Sequence, residues 1–198
     1  VPVALSGLGA DFMTLSGHKF GAPQGVGALI AANSTPQVVP LLQGGGQERN
    51  RRAGTENVAA IVGLGAAIAA LEPADSERLA SMRDAVEQRL SAADPSLTVF
   101  GAAVRRLPNT ICFAAGDKSA LALVMALDLA GIAVSAGSAC SSGKVRPSHV
   151  VTAMGFDRDV AARAIRVSLG RDNTSDDIDA FFLAWQRIQA PRQMIAAA

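Results

Sequence analysis

The sequence predicts an α/β protein built from two parts. Short apolar runs alternate with helical patterns along the chain, which is typical of α/β or α+β folds. Of the 198 residues, 49% are apolar and 18% are charged, enough apolar material for one ordinary core or two small ones. Residues 72–75 (EPAD) separate a nearly uncharged stretch from a more charged one and mark the best boundary.

Before this boundary the sequence predicts, in order, a buried strand at 12–15, a Gly- and Pro-rich loop at 16–25, a second buried strand at 26–31 and a helix at 56–71. Thr55 is the expected N-cap of the helix, with Glu56 in its first turn. Gly63 and Gly65 lower helix propensity, so we expect both to pack closely against another element.

After the boundary, apolar residues at helical spacing, such as Met82, Val86 and Leu90, predict a helix over 76–92. Further expected elements are strands at 97–100, 110–114, 132–135 and 164–169, and helices at 119–130 and 148–154. A capping box at 174–177 (TSDD) begins a last helix. Its expected apolar face consists of Ile178, Phe181, Phe182, Trp185 and Ile188.

Charge and cysteine content exclude several classes of protein. The formal net charge of +1 argues against a basic nucleic-acid binder and against an acidic disordered chain. Two cysteines form no disulfide framework, which favours a reducing cytosol, and no secretory signal is evident. The longest uncharged apolar run, residues 58–71, has 14 residues, fewer than the roughly 20 that span a bilayer. We therefore expect a cytoplasmic protein that binds neither nucleic acid nor membrane.

The chain contains three lysines, Lys19, Lys118 and Lys144, so amine chemistry has few candidates. Lys19 follows an apolar run and lies beside His18 in a glycine-containing loop. Burial in such a loop would remove its charge and prepare it as a base or a Schiff-base amine. A loop lysine that extends into solvent is the alternative, and it stays open on the sequence alone.

The two cysteines have different surroundings. Cys112 lies among apolar residues and is expected in the core, whereas Cys140 lies in a loop of small residues, 135–143. Lys144 and Arg146 would favour its thiolate, so Cys140 is the better candidate for a reactive thiol. The cysteines and histidines show no metal-ligand spacing, and we expect no resident metal.

Arginines form the third group of candidates. Arg49, Arg51 and Arg52 lie between three glycines and a predicted helix, a setting that suits an anion such as phosphate. Arg166 interrupts an apolar strand. It is either a surface arginine or an inward cation that needs an anionic partner, for example a substrate carboxylate.

Four segments together resemble the cysteine desulfurases, pyridoxal-phosphate enzymes of the class V aminotransferase group. They are residues 15–23 (LSGHKFGAP), 44–57 (GGGQERNRRAGTEN), 135–142 (SAGSACSS) and 165–171 (IRVSLGR). They occur in the family's order, and the third is similar to the cysteine loop of the subgroup in which this loop is longer. The resemblance runs from Val1 to about Ile188.

The resemblance implies that Lys19 holds pyridoxal phosphate and moves the proton of the substrate Cα. Arg166 would bind the substrate carboxylate. Cys140 would attack the sulfur of L-cysteine, which leaves alanine and a Cys140 persulfide; this thiol can also ligate an iron–sulfur cluster transiently. The implied cofactor contacts are Ser16, His18 and Thr55, the last across a homodimer interface. A sulfur-acceptor or scaffold protein, in iron–sulfur cluster assembly, is the implied partner.

The same resemblance implies a fold and a domain division. Residues 1–73 would be the C-terminal part of a large pyridoxal-phosphate domain, 74–190 a small domain with the cysteine loop, and 191–198 a frayed tail. Because family members are much longer, Val1 is interpreted as a cut within a domain and the chain as a C-terminal half.

Two other functions stay open. The chain would alternatively be a catalytically silent module that accepts sulfur or binds a scaffold, or a relative of selenocysteine lyases or aminotransferases. The loop SAGSACSS argues against an aminotransferase, because transamination needs no thiol.

Overall fold

A computed structural model of the chain describes residues 3–32, 38–137 and 147–190. The chain divides into two compact units, Val1–Pro73 and Ala74–Ala198. The expected frayed tail at 191–198 lies outside the described residues. We refer to the two units as the first and the second unit.

The first unit is built around a two-stranded antiparallel sheet in which Met13 lies opposite Ile30. The loop expected at 16–25 contains a 3-10 helix, so the prediction of no helix there is wrong; glycines at its two ends permit the tight turn. In chain order the elements are α1 (Leu5–Leu8), β1 (Phe12–Ser16), the 3-10 helix (Gly17–Phe20), β2 (Gly27–Ala31), the helical turn α2 (Gln47–Asn50) and α3 (Val58–Ala69).

The prediction that β1 and β2 are buried is wrong. One face of the sheet carries Phe12 and Leu29, both exposed, and the other carries half-buried side chains such as Met13 and Ile30. Apolar side chains on both faces are typical of a sheet covered on both sides. The described residues of the first unit partly cover the face that carries Met13 and Ile30 and leave the face of Phe12 and Leu29 exposed.

Helix α3 begins two residues later than predicted, and Thr55 is not its N-cap. The Asn57 side chain accepts a hydrogen bond from the Ala60 N–H at 3.2 Å and caps the helix. Asn is at least as good an N-cap as Thr, and its position leaves Glu56 outside the first turn. Of the two helix glycines, Gly63 packs closely as expected, because a Cβ there would lie 2.7 Å from Pro23 Cγ. Gly65 has nothing within 4 Å of that position, so its prediction is wrong.

The second unit contains a four-stranded antiparallel sheet and five helices among its described residues. In chain order the elements are α4 (Pro73–Ala93), β3 (Thr98–Val99), β4 (Thr110–Ala114), α5 (Ala120–Leu129), β5 (Ser135–Ala136), α6 (His149–Ala153), α7 (Arg158–Ala162), β6 (Ile165–Ser168) and α8 (Ser175–Gln189). The strand order in the sheet is β3-β4-β6-β5. Strand β4 has the predicted bounds, whereas only the end of the run at 132–135 pairs, and helix α7 was not predicted.

Helices α4, α5 and α8 pack on one face of this sheet and enclose the larger core. Trp185 of α8 meets the Phe113 ring of β4 edge to face, with 5.5 Å between ring centroids. The predicted capping box is confirmed, since the Thr174 and Asp177 side chains each bond the other's backbone N–H. A smaller cluster, which includes Phe100 and Val151, lies on the opposite face with α6 and α7.

No single helix among the described residues is long and apolar enough to cross a membrane, although α3 and α4 taken together meet the length and composition.

Candidate functional site

The 3-10 helix after β1 positions Lys19. Its first residue, Gly17, is buried, and a Cβ there would lie 2.9 Å from the Val26 carbonyl oxygen and 3.1 Å from Leu64 Cδ1. Only glycine fits this approach, and it lets the helix turn rest against α3. The turn ends at Gly21, whose φ of 91° suits glycine. Lys19 therefore projects from a backbone that is fixed by packing.

Three polar side chains occur together at this turn. Ser16 Oγ lies 3.1 Å from His18 Nδ1, within hydrogen-bond distance, and Lys19 follows directly. All three side chains are exposed. The described residues of the first unit thus do not bury Lys19, which favours the alternative of a loop lysine that extends into solvent. A hydroxyl, an imidazole and an amine presented outward form a donor set that suits a phosphorylated aldehyde.

The arginine-rich segment ahead of α3 has an unusual backbone. Glu48, Arg49 and Asn50 have φ angles of 50°, 57° and 63°, in the left-handed region that costs non-glycine residues roughly 1–2 kcal/mol each. A backbone bond from the Ala53 N–H to the Leu42 carbonyl, 3.0 Å, ties the segment to the residues before it.

The side chains expected at an anion site lie along this segment. Arg49, Arg51, Arg52 and Thr55 are exposed. The Arg52 guanidinium donates to the neighbouring Ala53 carbonyl at 3.1 Å. Their role as anion ligands stays a prediction.

Arg166 lies in β6, a central strand of the second unit. Its neighbours Ile165 and Val167 enter the larger core, so Arg166 projects from the opposite face. The side chain is half-buried, and its Nε has no hydrogen-bond partner among the described residues. An unpaired guanidinium N–H is costly to bury. Of the two alternatives, a surface arginine or an inward cation that needs an anionic partner, the structure therefore favours the second.

Cys112 lies opposite Arg166 on β4, a proximity that no local sequence pattern indicated. It is half-buried and packs against the smaller cluster, which agrees with the core position expected for it. Burial raises the pKa of the Cys112 thiol, and the positive charge of Arg166 partly offsets this. The thiol form is therefore favoured, which makes Cys112 a poor nucleophile.

Cys140, Lys144 and Arg146 lie in residues 138–146, outside the described residues. The structure describes where the loop starts: β5 pairs with β6 so that Ser135 also lies opposite Arg166. The candidate carboxylate ligand and the base of the cysteine loop are thus adjacent. Among the described residues, no group of three His, Cys, Asp or Glu side chains that could hold a metal ion is present.

Comparison with known proteins assigns the chain a family. Residues 1–181 match the family model "Aminotransferase class-V". A cysteine desulfurase of Cereibacter sphaeroides is 45% identical over 179 residues, covering 90% of this chain and 46% of that protein. The cysteine desulfurase IscS of Dictyoglomus turgidum is 42% identical, with 90% and 46% coverage.

A solved structure agrees with these sequence relatives. The NifS-like protein of Rickettsia africae superposes with a TM-score of 0.80 at 37% identity, covering 95% of this chain and 50% of that one. The predicted fold, part of a pyridoxal-phosphate transferase fold, is thereby confirmed. The chain spans about half the length of the curated relatives it matches.

Proposed function

We propose, because the chain belongs to the class-V aminotransferase family, that it forms the lysine- and cysteine-bearing half of a cysteine desulfurase. The observation that carries the proposal is the 40–45% identity to cysteine desulfurases over 90% of this chain. The family match spans residues 1–181 and so includes Lys19, Cys140 and Arg166.

Pyridoxal phosphate fits the residues of the first unit. The amine of Lys19 would hold its aldehyde carbon, and the Ser16 hydroxyl and the His18 imidazole, 3.1 Å apart, would bind its phosphate. Thr55 would add a phosphate contact from the second copy of a homodimer. When bound, the cofactor supplies an electron sink for the carbon next to the substrate amine.

The remaining steps belong to this chain's own side chains. Arg166 would bind the α-carboxylate of L-cysteine through its guanidinium, whose Nε is buried and unpaired among the described residues. Lys19 would take the Cα proton and return a proton to the product. The Cys140 thiolate would attack the substrate sulfur; an S–S bond forms, the C–S bond breaks, and its electron pair stays on carbon. After protonation the products are alanine and a Cys140 persulfide.

The persulfide defines the expected partners. A sulfane sulfur held on a cysteine passes to another thiol by exchange, so the acceptor would be a protein with an accessible cysteine, such as an iron–sulfur scaffold. We also propose that the assembled enzyme is a cytoplasmic homodimer. Sedimentation of the reconstituted enzyme would test the homodimer. Transfer of labelled sulfur to a scaffold protein would test the proposed acceptor.

Reconstitution tests the activity. The chain would be mixed with pyridoxal phosphate, L-cysteine, a thiol reductant and the upstream half of the Cereibacter sphaeroides relative. We expect alanine and sulfide in equal amounts, and we expect Lys19→Ala and Cys140→Ser to abolish sulfide. 3-Mercaptopyruvate with no sulfide would instead indicate an aminotransferase, because transamination removes the amino group and leaves the sulfur on the product. A higher rate with selenocysteine would indicate a selenocysteine lyase.

One observation favours a second candidate, a silent sulfur-accepting or scaffold-binding module. The second unit encloses its own core and includes Cys140. If this module were the function, the chain would take up sulfur from a separate desulfurase yet release no alanine in the reconstitution. Alanine release that depends on Lys19 would contradict it.

A further inference from the structure

A row of side chains crosses the sheet of the second unit on the face opposite the larger core. Arg166 of β6 lies between Cys112 of β4 and Ser135 of β5, each directly opposite it in register. Directly opposite residues of antiparallel strands project from the same face with Cβ atoms roughly 4.5–5.5 Å apart. The Arg166 side chain thus has one thiol and one hydroxyl as its immediate neighbours on this face.

Both neighbours of Arg166 are short and uncharged. Burial keeps the Cys112 thiol in its neutral form by raising its pKa, although the charge of Arg166 opposes this shift. Cys112 also packs against an apolar cluster on this face that contains Phe100, Ala114 and Val151. In the described part of the chain Arg166 forms no ion pair, and its Nε is buried without a partner.

Another half-buried arginine of the same unit shows the contrast. Arg106 Nη2 donates to Glu87 Oε2 at 2.7 Å, with both side chains mostly buried. A carboxylate of α4 therefore pairs with Arg106, although Arg106 Nη1, like Arg166 Nε, is buried without a partner among the described residues. The positions next to Arg166 hold no such group.

We propose that Cys112 is a positioning residue for Arg166: its small neutral side chain keeps the guanidinium unpaired and available to the carboxylate of an incoming amino acid. The inference rests on the proposed function only for the identity of that amino acid. Cys112 acts through Arg166 and takes no part in bond formation. An acidic side chain at position 112 would pair with Arg166 from across the strands and compete with the ligand.

The first test uses this chain alone and one carboxylate probe, sodium acetate. The Nε–H resonance of Arg166 is assigned by its loss in Arg166→Gln, and acetate is added against sodium chloride at equal ionic strength. We expect acetate to shift this resonance in the wild-type chain and in Cys112→Ser. We expect little or no shift in Cys112→Asp, because the new carboxylate already occupies the guanidinium.

A matched control separates the register position from the added charge. Thr110 lies on the same strand and the same face, opposite Ser168, so Thr110→Asp adds a carboxylate two residues away along the strand. It should leave the acetate shift largely intact. Equal loss in Thr110→Asp and Cys112→Asp, or an unchanged shift in Cys112→Asp, would overturn the proposal.

Thiol ionisation tests the contact between the two residues independently. In a Cys140→Ser background, Cys112 is the one remaining thiol, and its ionisation is followed by thiolate absorbance. Arg166→Gln should raise its apparent pKa further, because a favourable positive charge is lost. An unchanged pKa would show that the two side chains do not face each other, and the proposal would fail.

In the reconstituted enzyme the same variants separate binding from chemistry. Cys112→Asp should raise the KM for L-cysteine about tenfold or more with a smaller change in kcat, as expected when a charged contact to substrate is lost. Cys112→Ser should stay close to wild type. If the wild-type enzyme forms no alanine, the proposed function fails, whereas the acetate and thiol measurements still decide the role of Cys112. A loss of kcat in Cys112→Ser with an unchanged KM would contradict a positioning role.

Discussion

The sheets of the two units place similar apolar side chains in different surroundings. In the four-stranded sheet, Ile111 and Phe113 are 2% and 0% exposed beneath three helices. In the two-stranded sheet, Phe12 and Leu29 are 44% and 59% exposed. Buried apolar residues in the described part of the first unit are limited to Ala22, Ala60 and Leu64. The second unit therefore has the packing to fold by itself, whereas the first exposes surface that stability would require to be covered.

The residues of the proposed reaction are divided between the well-packed second unit and the poorly covered first unit. Arg166 and the base of the cysteine loop lie on the self-contained unit. Lys19, Ser16 and His18 lie on the unit whose sheet is poorly covered, and all three are exposed. We therefore expect carboxylate binding to persist in this chain alone and cofactor chemistry to require the upstream half.

The largest effect should come from the core of the second unit. Trp185→Ala removes a buried ring that packs on Phe113 and should lower the free energy of unfolding by about 3–5 kcal/mol. Phe12→Ala is the matched change in the first unit and should cost less than about 1 kcal/mol, because Phe12 is largely exposed. Urea unfolding followed by circular dichroism measures both. Equal losses would remove the distinction between the units.

A pair of helix glycines tests packing within the first unit. Gly65→Ala should stabilise α3 by up to about 1 kcal/mol, since nothing lies within 4 Å of the added methyl group. Gly63→Ala should destabilise it by about 1–3 kcal/mol, because the methyl group meets the Pro23 ring. Hydrogen exchange of the α3 amides reports both changes. A stabilising Gly63→Ala would show that Pro23 does not pack there.

The helix caps give the smallest effect. Thr174→Ala should lower the free energy of unfolding of the second unit by about 1 kcal/mol, whereas Asn57→Ala should change hydrogen exchange in α3 and leave the unfolding of the second unit unaltered.

The cap residue Asp177 should make the stability of the second unit depend on pH. Hydrogen bonds from the Thr174 backbone N–H and the Asn173 side chain lower the pKa of Asp177. Its stabilising contribution is thus present above pH of about 4 and is lost as the pH falls through the lowered value. Asp177→Asn should therefore differ from wild type at neutral pH and converge with it in acid; a constant difference would contradict this.

Local patterns predicted much of the fold. The capping box, the face of α8 and the bounds of β4 follow from short-range rules and are confirmed. The prediction of Thr55 as the N-cap of α3 was wrong because Thr55 and Asn57 are both good N-cap residues. Only the path of the backbone determines which of them caps the helix. The strand predicted at 132–135 overlaps the observed β5 only at Ser135, because a strand extends only where its partner pairs with it.

For the candidate site, the sequence named candidate residues but not their arrangement. A charge within an apolar strand made Arg166 a candidate, whereas its position between Cys112 and Ser135 depends on strand register. Residue spacing does not encode that register when the partners come from three separate strands. The exposure of Lys19 likewise depends on which elements cover the first unit, and its local sequence does not specify them.

The most direct test of the account is to locate the transferred sulfur on the protein. After the reconstituted enzyme reacts with L-cysteine in the absence of reductant, alkylation and peptide mass spectrometry identify the modified cysteine. We expect one additional sulfur atom on Cys140 and none on Cys112, which the structure shows half-buried beside Arg166. Sulfur on Cys112, or alanine formed with no sulfur on either cysteine, would contradict the account.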